Sequence, residues 1–425
     1  MSETVRATPE APVEDGHWLA RSVRRLFASR YALALLAVPA GMLVAGIVSW
    51  AIDWRLGVDS AVYRSGAVAL LTGEPLYDND FLSAEPPWAH LPFTYPPTGA
   101  LLFVPLALFP TQVSWGVLAA ISVLALALVV RIGIQAAGPS WLPPAKATVL
   151  ITIGALALEP VWRTLFLGQI NIILMALVVV DVLVLGTVAG RARHLGGVLI
   201  GVAAAVKLTP LIFVPHLWLT GRRMDAVRAL ATFAALQALI FAMRPHDFAR
   251  FWTVAVTDPA RTGPTFWAGN QSLNGLVLRL TDLAPWALAA AVGVGAVLAV
   301  PAVHLVRRFH RAGQPLAALL VTAFFGLLLS PVSWSHHYVW VVPLIVLLLT
   351  RLPGRAGVRA ALGGVVLVFA SCVLLIMRTS DPSRPPGVKP ELEWTPPEVV
   401  LGSAYLLVPL VAGAVLLLRK RTGGR

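Results

Sequence analysis

A chain of 425 residues would suggest two or three soluble domains, but 58% of it is hydrophobic and only 12% is charged, about half the charged fraction of a soluble domain. That balance excludes an ordinary water-soluble enzyme and implies a polytopic membrane protein. The net charge of +13 does not point to nucleic acid, because the arginines fall between apolar runs, where they mark cytoplasmic loops, and no basic patch with interleaved aromatics stands elsewhere. The single cysteine, Cys372, excludes an intramolecular disulfide and a cysteine-based metal site.

In chain order, residues 1–30 read as a disordered cytoplasmic N-terminus, polar at first and ending in Arg21, Arg24, Arg25 and Arg30. The apolar run 31–52 exceeds the roughly 7–15 residues of a signal-peptide core and reads as an uncleaved first transmembrane helix. A long polar loop, 53–96, follows. It carries six carboxylates (Asp53, Asp59, Glu74, Asp78, Asp80 and Glu85) against Arg55 and Arg64. Further spans are predicted near 112–132, 147–160, 168–187, 195–206, 209–221, 226–243, 285–306, 316–331, 336–350, 357–377 and 398–418, several of them shorter than the ~20 residues a spanning helix needs. Pro97–Phe109 is Pro-bounded and short, either a re-entrant hairpin or one more span. The expected fold is an all-α polytopic membrane protein of about twelve (11–13) helices. A single transmembrane domain runs over 31–419, with a second long loop at 244–284 and a cytoplasmic tail at 420–425.

Basic clusters at Arg21–Arg30, Arg191–Arg193, Arg222–Arg228, Arg307–Arg311, Arg351–Arg359 and Arg419–Arg421 share one face if Pro97–Phe109 does not cross. Both termini are then cytoplasmic. The opposite face collects 53–96, Glu159–Asn171, Lys207, 244–284, Ser330–His337 and 378–397. Non-helical backbone at membrane depth is tolerated only where it is buried in protein or lines a cavity, so that face is expected to hold a cavity built from many loops.

Several residues on it are candidates for chemistry. Asp59 opens a stretch, Ser60–Leu71, with small and apolar residues at helical spacing, ended by Gly73 and Pro75. It reads as an interfacial amphipathic helix, with Asp59 capping it, acting as a base, or both. Tyr95 precedes two prolines that set an extended entry to the next segment. Asn171, in Gly168-Gln169-Ile170-Asn171, suits helix packing or a sugar hydroxyl. Lys207 interrupts an apolar run and needs an anionic partner at such depth. Asn270 and Gln271, in an amide-rich loop, suit sugar hydroxyls or loop backbone, and Arg261 and Trp267 precede them as phosphate-binding and stacking groups. Trp334, His336 and His337 stand at the mouth of two spans. Adjacent helical residues point about 100° apart, so the two histidines do not chelate one metal together; hydrogen bonding to a phosphate or sugar suits them better. Asp78-Asn79-Asp80 has the form of a metal-binding Asp-x-Asp pair and is read here as a polar loop.

Taken together, Asp59-Ser60-Ala61-Val62-Tyr63, Gly73-Glu74-Pro75-Leu76-Tyr77, Phe93-Thr94-Tyr95-Pro96-Pro97, Gly168-Gln169-Ile170-Asn171, Lys207-Leu208-Thr209-Pro210, Gly269-Asn270-Gln271-Ser272 and Ser330-Pro331 with Trp334 and His336-His337 resemble glycosyltransferase family 87. This is a GT-C class of polyprenyl-phosphate-sugar-dependent membrane enzymes that includes actinobacterial α-1,2-mannosyltransferases. The resemblance implies a GT-C fold and an inverting transfer from polyprenyl-phosphate mannose to a glycolipid or lipoglycan acceptor at the outer face of the plasma membrane. It maps the family's essential aspartate onto Asp59 and its essential histidine onto His336 or His337, with His336 preferred. Lys207, Arg261, His337, Asn171, Asn270, Gln271, Trp334 and Tyr95 would bind donor phosphate or sugar. The expected partners are the donor, the acceptor and membrane lipid, without nucleic acid, metal or other cofactor. A related donor, decaprenyl-phosphate arabinofuranose, and a lipid or glycan transporter are the alternatives.

Overall fold

A computed structural model describes residues 18–138, 141, 143–187, 190–353, 355–380 and 388–418. The expected disorder of residues 1–17 and the tail 420–425 lie outside these. Within them, the expected disorder up to residue 30 gives way to a helix, Trp18–Phe27, whose Leu26 packs with Leu35, Ala127 and Val149. The described residues are helical and irregular, and their one isolated β-bridge joins Asn270 to Trp334.

Among the described residues, four helices are long and apolar enough to cross a membrane: Ala32–Ala51, Thr111–Ala136, Arg223–Met243 and Ala287–Arg311. Two bent pairs, Pro144–Ala155 with Glu159–Leu167 (72°) and Pro396–Gly402 with Ala404–Leu418 (81°), raise the number to six if each is one span. Others of the twelve expected spans coincide with shorter apolar helices, such as Asn171–Leu185 and Pro315–Leu329. A helix of fifteen residues rises only ~22 Å, short of the ~30 Å hydrocarbon core.

The hub is Thr111–Ala136, which buries most of its surface against Ala32–Ala51, Pro144–Ala155 and Asn171–Val180. Gly46 and Gly116 let two of these backbones touch: a Cβ on Gly46 would lie 2.7 Å from the Gln112 carbonyl oxygen, the close approach that small residues permit between membrane helices.

The first loop and the segment after it pack closely on the helices around them. The helix Val58–Thr72, expected as an interfacial amphipathic element, is buried over most of its surface. Ser60, Ala61, Val62, Tyr63, Ser65, Gly66, Ala67, Ala69 and Leu70 are all buried, and the helix packs between Val104–Leu108, Thr111–Ala136 and Pro97–Leu102. Its small residues are the reason. Gly66, for example, lies under the Phe93 ring, where a Cβ would meet Cε2 at 2.3 Å. Pro97–Phe109 is a six-residue helix, Pro97–Leu102, followed by a 3-10 turn, Val104–Leu108; a helix of that length rises ~9 Å and does not cross.

Candidate active site

The loops expected on one face meet around a cavity of about 750 Å³ lined, among others, by Asp59, Arg163, Gln169, Lys207, Trp334 and His336. It draws on the first loop, the bend before Asn171, the break after Val206, the 244–284 segment and the Ser330–His337 turn.

Asp59 is placed by close packing at two left-handed glycines. Gly57, at φ 76°, is the N-cap of the Val58–Thr72 helix, so Asp59 sits in the first turn and is not the cap. Gly168, at φ 74°, ends Glu159–Leu167. Only glycine adopts such a φ without strain, and neither site has room for a side chain: a Cβ would meet Ser60 Oγ at 2.5 Å from Gly57 and at 2.4 Å from Gly168. Trp115 fills the same junction and donates from Nε1 to the Leu165 carbonyl at 2.7 Å. The start of the helix is thereby held against the Gln169 turn.

Four residues after Asp59, on the same helix face, Tyr63 donates to Gln169 Oε1 at 2.8 Å and meets the Tyr95 hydroxyl at 2.6 Å. Tyr95 donates to the same Oε1 at 3.1 Å. With its oxygen accepting twice, the Gln169 amide is oriented to serve the Asp59 carboxyl. Burial pushes that carboxyl up to about 6, opposed by the Gln169 hydrogen bond and by the positive charges of Lys207 and Arg163. Desolvation is the larger effect, as expected where a carboxylate is withdrawn from bulk water.

Lys207 is the C-cap of Val198–Val206, where extended backbone (φ −150°) and Pro210 interrupt the apolar run. Its Nζ donates to Asn171 Oδ1 at 3.1 Å, lies 3.2 Å from His337 Nε2, and stands 5.4 Å from the centre of the Tyr95 ring. The rings of His336 and His337 are perpendicular, 4.7 Å apart, and face different neighbours. The buried Nε2 of His336 has no protein partner, although the residue lines the cavity. Trp267 and Trp334 stand with ring centres 6.2 Å apart at the cavity wall.

Other expected site residues are engaged elsewhere. Asn270 and Gln271 are fully buried. Asn270 donates to the Thr265 and Pro331 carbonyls and accepts from the Ser272 and Ser333 amides. Gln271 donates to the Ala268 and Gly402 carbonyls. Their amides, expected to meet sugar hydroxyls, hold loop backbone in this structure. Arg261 lines the cavity but ties the two long loops together, donating to the Tyr77 and Phe93 carbonyls at 3.4 and 3.3 Å. Asn171 contributes from behind, bonding Lys207 and the His336 carbonyl. Asp78 pairs with His246 and Arg250 on the surface, and among the described residues no cluster of three or more His, Cys, Asp or Glu forms a metal site.

Sequence reasoning did not single out Tyr63, Gln169 as a partner of Asp59, Arg163 or Glu159. Glu159 is fully buried and accepts from Ser335, Tyr405 and Arg163, fixing the backbone just before His336. The signals were present: Tyr63 follows Asp59 at helical spacing, and Glu159 is an acid inside an apolar stretch.

Residues 93–331 match the profile described as Glycosyltransferase family 87. The chain belongs to this family. It is a membrane glycosyltransferase, as its motifs had implied. Among family relatives, a polyprenol-phosphate-mannose-dependent alpha-(1-2)-phosphatidylinositol mannoside mannosyltransferase of Mycobacterium tuberculosis is 34% identical over 372 residues, 83% of this chain and 84% of the relative. One of the same description from Mycolicibacterium smegmatis is 32% identical over 72% of this chain and 73% of its own. A phosphatidylinositol pentamannoside mannosyltransferase of Mycobacterium tuberculosis is 35% identical over 69% of this chain and 66% of its own. No solved structure matches. The family-87 match begins after Asp59 and ends before His336 and His337.

Proposed function

We propose that this family-87 protein transfers a mannosyl residue from a polyprenyl-phosphate donor to a hydroxyl of a phosphatidylinositol mannoside or related lipoglycan. The bond formed is an α-1,2 linkage, made with inversion. The descriptions of the relatives support the donor and acceptor classes. The observation that carries the chemistry is that the carboxyl of Asp59 and the ammonium of Lys207 stand in the walls of one cavity.

In the proposed step the acceptor oxygen attacks the anomeric carbon while its proton passes to Asp59. The bond from that carbon to the phosphate oxygen breaks, and its electron pair leaves with the polyprenyl phosphate. A base with a pKa near the working pH is effective in such a transfer, and a value of about 6 leaves Asp59 mostly ionised at neutral pH. Lys207 stabilises the departing phosphate, and His336 Nε2 donates to the phosphate or to a sugar hydroxyl, as groups aimed at developing charge do. One carboxylate suffices because the leaving group is already an acidic phosphate, whereas glycosidases usually need two. The proposal requires no cofactor. Trp267 and Trp334 offer aromatic faces to a sugar ring.

The reaction is assigned to the outer face of the plasma membrane, with both termini cytoplasmic, because the cavity segments fall opposite the arginine clusters. Purified protein incubated with polyprenyl-phosphate mannose and phosphatidylinositol mannoside is expected to yield one added α-1,2-mannose by mass and linkage analysis. A β-linked product, or no donor consumption, would overturn the reading.

A further inference from the structure

Among the described residues, the walls of the 750 Å³ cavity carry two carboxyl groups, Asp59 and Glu391, and the proposed reaction uses one of them. Glu391 lies in a short 3-10 turn, Pro390–Glu393, opened by its proline, and is only 1% exposed. Its Oε1 accepts from the Ser380 amide at 2.8 Å and its Oε2 from the Ser380 hydroxyl at 2.7 Å. A carboxylate has about four lone-pair sites, so these two bonds leave it able to accept more. The surrounding backbone is pinned. The Trp394 indole donates to the Arg378 carbonyl at 2.8 Å and lies over Gly402, where a Cβ would collide with it. Arg378 in turn pairs with Glu398 at 2.8 Å. Thr379, Ser380 and Trp267 line the same cavity. The result is a buried, fixed, acceptor-only group beside hydroxyls and an indole.

We infer that Glu391 binds the terminal mannose of the acceptor through hydroxyls that do not react. The inference rests on the proposed reaction and adds the residue that recognises the acceptor. A negative group repels phosphate, so neither the donor phosphate nor the phosphodiester of the acceptor lies against Glu391. What remains of the substrates is neutral polyol. Sugar hydroxyls donate, a carboxylate only accepts, and hydrogen bonds to an ionised acceptor are roughly twice as strong as neutral ones. Its two oxygens can take two neighbouring hydroxyls of one ring. Trp267 offers an apolar face to the C–H side of that ring. Pockets for drug-sized ligands run to about 300–1,000 Å³, so a cavity of about 750 Å³ has room for the acceptor sugar beside the transferred one. Asp59 remains the base, and Glu391 holds the acceptor while its oxygen attacks.

The test uses phosphatidylinositol mannoside and analogues that each lack one non-reacting hydroxyl of the terminal mannose. In the wild-type protein at least one analogue is expected to lose about tenfold or more in kcat/KM, as when a hydrogen bond to a buried charged group is removed. Glu391→Gln keeps the size of the side chain and an acceptor for the Ser380 amide, but removes the charge and turns one acceptor into a donor. It is expected to raise KM for the full acceptor about tenfold, to leave KM for the donor unaltered, and to shrink the penalty of that analogue to about twofold, the non-additivity of two groups in contact. Glu391→Asp, which keeps the charge and shortens the reach, is run beside it and is expected to fall between. Each penalty is a ratio within one preparation, so partial misfolding cancels. A wild-type protein indifferent to every non-reacting hydroxyl, or an undiminished penalty in both variants, would overturn the assignment and leave Glu391 as a clamp on Ser380. Absence of transfer to any acceptor by the wild-type protein would instead sink the proposed reaction itself.

Discussion

Two clusters of buried side-chain amides and hydroxyls stand in this molecule, and they do opposite things. Around Gln169, two tyrosine hydroxyls point the amide toward a carboxyl that lines a cavity. Around Asn270 and Gln271, every amide contact closes onto backbone, and the loop becomes a clamp between Pro331, Ser333 and Gly402. Both are amide-bearing turns just before a helix, and both satisfy the rule that buried polar groups find partners. The difference lies in what remains after those bonds are made. The Gln169 cluster leaves a carboxyl exposed to a cavity, and the Asn270 cluster leaves no hydrogen-bonding group free for a ligand on Gln271.

Four substitutions sharpen that contrast. Asp59→Asn is expected to reduce kcat/KM for mannosyl transfer by about 10²–10⁴-fold, the usual range for loss of a general base, with membrane insertion retained. Lys207→Met should reduce it about 10²–10³-fold, as when one donor to a developing anion is removed; an unchanged rate would remove Lys207 from the phosphate site. Gln169→Leu removes a hydrogen bond that lowers the Asp59 pKa, so the acid limb of the pH–rate profile should move to higher pH. A limb that stays in place would detach Gln169 from Asp59. Asn270→Ala leaves the Ser272 and Ser333 amides without their acceptor, at about 1–3 kcal/mol for each buried group left unpaired. It should lower the thermal unfolding temperature in detergent and leave KM unaltered. A raised KM with unaltered unfolding would return Asn270 to the sugar site.

What was legible in the sequence follows the same division. The all-helical membrane class was carried by apolar runs, and the break at Lys207 by Thr209-Pro210. The gathering of Asp59, Lys207, Trp334 and His336 on one cavity was expected from the distribution of basic clusters. The burial of Val58–Thr72 was not legible because alanine, glycine and serine are ambiguous in a hydrophobicity pattern; what buries the helix is their small size against Phe93 and Trp115. Helix length was less legible, because apolar runs such as Asn171–Leu185 do not show in sequence that their helices are shorter than the ~20 residues of a full span. The fate of the Asn270 and Gln271 amides depended on partners some 60 to 130 residues away, which no local pattern reports.

The central claim is that Asp59 is the base and that its titration governs the reaction. The decisive measurement is kcat/KM for mannosyl transfer against pH. The wild-type profile is expected to fall as pH drops through about 6, because the Asp59 carboxyl is raised to that value by burial and its protonated form accepts no proton. Glu85, which accepts from the amide of the cavity-lining Leu91 and is pushed by burial to about 7, also titrates in this range, so Glu85→Gln is run beside it. The limb is expected to survive in Glu85→Gln and to vanish from the residual activity of Asp59→Asn. A limb that persists in Asp59→Asn, or a wild-type profile that stays flat below pH 5, would contradict the claim.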